Sequence, residues 1–181
     1  MHEEEYQETM KDIIAIDDFF KEQEWVDFNS SLGKNTIKAG PWKMQSSDKD
    51  NNSIPGDTSF FIRDLHEEPY VITNIFNKIK KILGDNINLG RVYLNGQFPG
   101  RNGSFHVDGC DRTVLIYLSK WDVEWGGFTH ILGENFPESK IIEPIFNRFV
   151  CFPGNLLHKA YSFSYQHCPM RISLAYKLNF L

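Results

Sequence analysis

Along the first half of the chain the apolar positions are spaced for helices, and along the second half they come in short runs spaced for strands. Ile13-Ile14-Ala15-Ile16 is rich in β-branched residues and predicts a first strand or its lead-in. Asp17 or Asp18 offers an N-cap. Phe19, Phe20, Trp25, Val26, Phe28 and Leu32 then fit the apolar face of a helix from Phe19 to about Leu32, with Gly33 as its stop. Residues 34–58 show no period. Their run of Ser, Asp, Asn and Lys from Ser46 to Ser53 cannot bury apolar surface and reads as a surface loop, either a lid or an inert insertion. Ser59-Phe60-Phe61-Ile62 predicts a short strand or turn. Pro69 opens a second helix to about Leu83, along which Val71, Ile72, Ile75, Phe76, Ile79 and Ile82 recur near helical spacing. Lys78, Lys80 and Lys81 lie toward its C-terminal end, where cations suit the helix dipole, and Gly84 closes it.

After residue 86 short apolar runs alternate with clusters of Gly, Pro, Asn and Asp, at 88–95, 104–108, 112–119, 126–132, 141–144, 147–153, 156–162 and 170–178. Short, evenly spaced strands separated by turn signals predict an all-β sandwich or barrel. Two helices followed by such a series predict a mainly β jelly roll with flanking helices, with helical support over about 17–84 and the β core over about 86–181. No repeat or linker divides the 181 residues, so one domain is expected.

Charge and cysteine usage narrow the function classes. A formal net charge of -5 gives no reason to expect a general nucleic-acid or membrane-surface binder. Cys110, Cys151 and Cys168 are odd in number and scattered, which argues against a disulfide framework and against a zinc ribbon. Cys151, inside an apolar run, reads as a buried core thiol, and Cys110 and Cys168 as loop residues near the site. The acidic start Met1-His2-Glu3-Glu4-Glu5 is unlike a signal or transit peptide, and no apolar run approaches the length of a membrane span, so a cytoplasmic protein is expected.

The candidate chemistry gathers around Ser104-Phe105-His106-Val107-Asp108-Gly109. On an extended segment residues i and i+2 share a face, so His106 and Asp108 can reach one metal ion. His158 follows the apolar run Arg148–Phe152. Two histidines and one carboxylate with open positions form the facial set that suits non-haem Fe(II) oxygenases. Arg171 begins the last long apolar run, with Ser173 two residues on. A chelating dicarboxylate such as 2-oxoglutarate needs two metal positions and a fixed cation for its distal carboxylate, which a planar guanidinium supplies. One further metal position is left for oxygen. His130 is the remaining histidine nearest this region. Arg91 and Arg148, both beside apolar strand runs, read as structural. Trp121 and Trp125 flank a turn and read as edge packing.

The segment from about Leu89 to Leu178 resembles the Fe(II)/2-oxoglutarate-dependent dioxygenases, in their prolyl 4-hydroxylase-like branch. The matching residues are Tyr93 and Asn95 in RVYLNGQ, the HVD motif, Tyr117 in LIYL, Gly126-Gly127 in WGGFTHIL, then IIEP, NRFVCFPGNLLHKAYSFS and Arg171-Ile172-Ser173. The resemblance implies a double-stranded β-helix (jelly roll, cupin-like) backed by N-terminal α-helices. It implies Fe(II) held by His106, Asp108 and His158, and 2-oxoglutarate held at its distal carboxylate by Arg171 and Tyr117. Tyr93 matches a residue at the metal-proximal end, and Ser173 and Thr129 match the pocket wall. Ascorbate is a further cofactor that the resemblance suggests. The implied reaction hydroxylates a C–H bond with decarboxylation of 2-oxoglutarate to succinate. The expected substrate is a prolyl residue in a peptide or protein, with a free amino acid or other small molecule as alternatives, and the expected state is a monomer or homodimer. The competing reading is a cupin-like metal- or small-molecule-binding barrel without turnover. A halogenase on the same fold conflicts with Asp108, whose coordination position a halide would need.

Overall fold

The computed structural model describes residues 12–32, 41–45, 60–133 and 138–181, so residues 46–58 of the expected lid or insertion lie outside the described residues. Two antiparallel sheets face each other. The larger runs β1 (Ile14–Ile16), β8 (Phe149–Pro153), β5 (Arg112–Tyr117), β10 (Arg171–Phe180), β4 (Ile87–Gln97), β3 (Phe60–Asp64) and β2 (Lys43–Gln45) in spatial order. The smaller is β7 (Ser139–Ile142), β6 (Thr129–Leu132) and β9 (Leu157–Ala160).

The alternation in β10 shows how the layers divide. Ile172, Leu174, Tyr176 and Leu178 point to one face and join Phe28, Val71, Ile75 and Ile79 in the cluster under the helices. Arg171, Ser173, Ala175 and Lys177 point to the other face, toward the smaller sheet. There Tyr93, Leu115, Tyr117, Val150, Phe152 and Ala175 meet Ile131, Ile142 and Leu156 in a second cluster. Because both faces of β10 are buried, its sequence reads as a nearly unbroken apolar run interrupted by the residues of the site.

The first helix, α1 (Glu22–Ser31), starts three residues later than the apolar pattern predicts, and neither Asp17 nor Asp18 caps it. Glu24 instead accepts from the Lys21 backbone N–H at 2.8 Å. Asp18 has φ 55, and the chain before the helix is pinned by Asn147, which accepts from Phe20 N at 2.7 Å and donates to Phe20 O at 2.8 Å. Asp17 is spent on Arg148, 2.6 Å away. The second helix begins with a π-helical turn, Val71–Ile75, and continues as α2 (Phe76–Leu83). The run at 104–108 is not a strand. Only His106 bridges, to His158.

Candidate metal and co-substrate site

The His106–His158 bridge is the frame of the site. His106 N donates to His158 O at 3.0 Å and His158 N to His106 O at 2.9 Å, which sets the two rings 4.4 Å apart between centroids. The Asp108 segment is fixed by a second backbone contact. Asp108 N donates to Gly154 O at 2.7 Å, and Gly154 N to Asp111 O at 3.1 Å. A Cβ on Gly154 would lie 2.2 Å from Cys110 O, so this approach requires glycine. The loop that carries Asp108 is therefore held by backbone on both sides without belonging to a sheet.

Each histidine has its ring nitrogen Nδ1 against a backbone carbonyl, Ser104 O at 2.9 Å for His106 and Leu156 O at 2.8 Å for His158. A carbonyl only accepts, so Nδ1 carries the hydrogen and Nε2 presents a lone pair inward. Asp108 Oδ2 lies 3.3 Å from His158 Nε2, and Oδ1 lies 3.9 Å from His106 Nε2. The three ligand atoms fall within 4.8 Å of one another. Ligands at right angles on one ion, each about 2.1 Å from it, stand roughly 3.0 Å apart, close to this spacing. Lone pairs facing lone pairs repel, and a cation between them removes the repulsion, so the donor set fits a divalent metal. Carbonyl acceptors behind both imidazoles fix their tautomer, as at metal-binding histidines generally. Burial, then the neighbouring His158, push the His106 pKa down, favouring the neutral ring that a metal needs.

Arg171 lies deeper and is 1% exposed. Its Nε donates to Gly127 O at 2.7 Å, Nη1 to Gln97 Oε1 at 3.2 Å and Nη2 to Thr129 Oγ1 at 2.9 Å. Tyr117 donates its hydroxyl to the same Thr129 oxygen at 2.8 Å. All of these partners are neutral. Among the described residues no carboxylate lies within ion-pair distance of Arg171. Burial pulls the Arg171 pKa down and pushes the Tyr117 hydroxyl's up. A buried cation without a counter-ion is costly unless an anion joins it. Ser173 Oγ and Asn95 Oδ1 are buried without hydrogen-bond partners, and Ser173 and Asn95 are direct cross-strand neighbours. The interior face thus carries an uncompensated charge and two unused polar atoms. This fits an anionic, oxygen-rich co-substrate.

Tyr93 is buried on the interior face opposite Ala175, with the Arg91 guanidinium 4.5 Å from its ring centroid. Arg148 is engaged by Asp17, and Trp121 donates to Gly126 O at 2.8 Å. His130 packs edge-on to Phe105 and stands apart from the ligand cluster, with its Nε2 buried and unpartnered. Cys151 is buried, and burial pushes its thiol up to about 12. Cys110 is partly exposed beside Thr113, with its sulfur 3.6 Å from Thr113 Oγ1.

Sequence reasoning missed Lys177 and Thr113, both of which contact Asp108 Oδ2. Thr113 does so at 2.5 Å, and Lys177 through its ammonium. Burial pulls the Lys177 pKa down, but nearby Tyr93 and Asp108 raise it above the ordinary lysine value. For Asp108, burial works upward, yet His158 and Lys177 hold its carboxyl far below the usual range. The signal was available. Lys177 stands six positions after Arg171, an even step that puts it on the same face of β10.

A two-histidine, one-carboxylate cluster able to hold one metal ion lies beside two facing antiparallel sheets. No protein-family model matches the chain, and no curated protein matches it. Solved structures do. A 2OG-Fe(II) oxygenase family oxidoreductase from Burkholderia pseudomallei aligns over 97% of this chain and 90% of its own, at TM-score 0.71 and 12% identity. A Trichoplax adhaerens prolyl hydroxylase, in complex with a hypoxia inducible factor oxygen degradation domain peptide, aligns over 93% of this chain and 83% of its own, at 0.70 and 16%. HygX from Streptomyces hygroscopicus, with nickel, 2-oxoglutarate and hygromycin B bound, aligns over 92% of this chain and 82% of its own, at 0.65 and 12%. The fold is the double-stranded β-helix of the 2-oxoglutarate/Fe(II) oxygenases, prolyl hydroxylases among them. No helix among the described residues is long and apolar enough to cross a membrane.

Proposed function

We propose that this chain is an Fe(II)- and 2-oxoglutarate-dependent dioxygenase that hydroxylates a C–H bond, with a prolyl residue of a peptide or protein as its substrate. The observation that carries the reading is Arg171, a fully buried cation with only neutral partners, in the same barrel interior as a two-histidine, one-carboxylate cluster. A barrel that only bound metal would have no need of that charge. His106, Asp108 and His158 would hold the iron, which supplies oxygen activation coupled to decarboxylation of 2-oxoglutarate to succinate and carbon dioxide.

The chain's own groups bind, orient and exclude water. Arg171 and Tyr117 receive the distal carboxylate, with Thr129 holding both donors in place. Ser173 and Asn95 offer polar contacts along the same wall, and Tyr93 borders the metal-proximal end. The two carbonyl-bound imidazoles would keep their Nε2 lone pairs turned toward the metal. The peptide substrate is supported by the likeness to the peptide-bound prolyl hydroxylase. The likeness to HygX with hygromycin B bound supports a small-molecule substrate as the second reading. Cytoplasmic location, one domain over 1–181 and a role for ascorbate belong to the same proposal.

The test is succinate release with Fe(II), 2-oxoglutarate and a library of proline-containing peptides, followed by mass spectrometry of the peptides. Succinate that rises with a peptide gaining one oxygen supports the reading. No succinate under any substrate, with metal and 2-oxoglutarate bound, supports a non-catalytic barrel.

A further inference from the structure

Asp108 is held asymmetrically. Oδ2 accepts from the Lys177 ammonium and from Thr113 Oγ1, and Lys177 also reaches Thr113 Oγ1 at 3.4 Å. Oδ1 accepts no hydrogen bond among the described residues and lies 3.9 Å from His106 Nε2, and Oδ2 also lies 3.3 Å from His158 Nε2. The Lys177 and Asp108 side chains are only 16% and 12% exposed. Lys177 and Thr113 are direct partners in the β10–β5 ladder, so the two donors approach the carboxylate from adjacent strands of one rigid sheet. Arg91, the partner of Lys177 on the other side, is turned away onto the Tyr93 ring and toward Gln45. Among the described residues, Lys177 is therefore the one lysine or arginine in ion-pair contact with the metal-binding carboxylate.

We propose that Lys177 is a positioning residue that sets the donor strength of Asp108: with Thr113 it holds the carboxylate through Oδ2, and its charge weakens metal binding so that the ion stays exchangeable. This rests on the metal centre proposed above. Two effects act in the same direction. An ammonium one carboxylate away repels a divalent ion, and in a partly buried site that repulsion is only weakly screened. The same ammonium neutralises Asp108 when no metal is bound, so it stabilises the metal-free state against which binding competes. A lysine that served only to support the fold would loosen the metal when removed. The opposite sign is expected here.

The experiment measures Co(II) binding by visible absorption, and thermal melting with and without Co(II), for the parent, Lys177→Met, Lys177→Gln and Thr113→Val. Methionine removes both the charge and the donor, and glutamine removes the charge but keeps a donor. Both lysine variants should bind Co(II) at least about tenfold tighter than the parent, the scale of losing one nearby like charge. Both should melt lower without metal and show a larger metal-induced rise. Thr113→Val, which keeps the ammonium, should stay within about threefold of the parent, as expected for one neutral hydrogen bond. Equal or weaker Co(II) binding by the lysine variants, with the parent binding normally, overturns the role of Lys177 and leaves the metal centre standing. A parent that binds no Co(II) overturns the metal centre and this role together. A lysine variant that stays unfolded even with Co(II) also counts against the proposal, because the ion should supply the charge the lysine gave up.

Discussion

The Arg171 guanidinium lies 5.2 Å from the centre of the Tyr117 ring, and both side chains hydrogen-bond the single oxygen Thr129 Oγ1. One hydroxyl thus aligns a cation and a phenol toward the same space. Neither Arg171 nor Tyr117 meets a carboxylate among the described residues. The pair is preorganised for an anion, with the ordering cost met during folding.

Arg171→Ala should raise the 2-oxoglutarate concentration needed for binding by roughly 30- to several-thousand-fold, while metal binding stays near the parent's. Losing one partner of a desolvated charge pair typically costs about 2–5 kcal/mol. Arg171→Lys should recover only part, since a point charge cannot reproduce the fork. Tyr117→Phe removes one neutral donor, worth about 0.5–1.5 kcal/mol. Titration with 2-oxoglutarate at saturating metal checks all three, and parent-like binding by Arg171→Ala would remove the co-substrate assignment.

Gly154→Ala should destabilise the protein by about 1–3 kcal/mol, the usual scale of forcing extra atoms into a packed contact. The added Cβ would meet Cys110 O at 2.2 Å and Cys110 C at 3.0 Å, which are backbone atoms that cannot rotate away. Relief must displace the loop carrying Asp108, so Co(II) affinity should fall along with the melting temperature. A variant that melts lower yet binds Co(II) normally would show that the loop and the ligand are not coupled.

How much of this was legible in the sequence depended on whether the cause was local. The series of short apolar runs after residue 86 and the His106–Asp108 spacing are local, and with the family resemblance they carried the fold class and the candidate site residues. The N-terminus of α1 was misread because two adjacent phenylalanines look like a helix face. Their backbone is instead held by Asn147, which lies 127 residues from Phe20 in sequence. The run at 104–108 was read as a strand because it is apolar and extended. What holds it is one bridge to His158 and the close approach at Gly154. Neither contact leaves a periodic trace. Lys177 was overlooked although its parity with Arg171 placed it inside.

Cys151 should resist thiol reagents in the folded protein at pH 8.5, while Cys110, which is partly exposed, reacts first. Burial raises the Cys151 pKa to about 12 from an ordinary 9.0. The folded state therefore favours the proton. That contribution is fully present below pH 9 and is lost as pH rises toward 12. Compared with Cys151→Ala, the parent should lose about 1.4 kcal/mol of relative stability per pH unit in that window. Urea midpoints measured from pH 8 to 10.5 check this, and parallel curves for the two proteins would count against it.

Asp108→Ala should abolish hydroxylation and weaken metal binding more than loss of one ligand alone would. The variant removes the anionic donor, and it also strands the Lys177 ammonium beside the metal position with no carboxylate to balance it. His106 and His158 keep their inward lone pairs, because their tautomers are set by Ser104 O and Leu156 O and not by Asp108. Two neutral imidazoles facing a buried ammonium form a poor site for a dication. Adding Lys177→Met to Asp108→Ala should therefore restore part of the Co(II) affinity while leaving hydroxylation abolished, since the anionic ligand is still missing. Co(II) titration of the single and double variants separates the ligand effect from the charge effect. Undiminished turnover in Asp108→Ala would show that the reaction centre lies elsewhere in the fold.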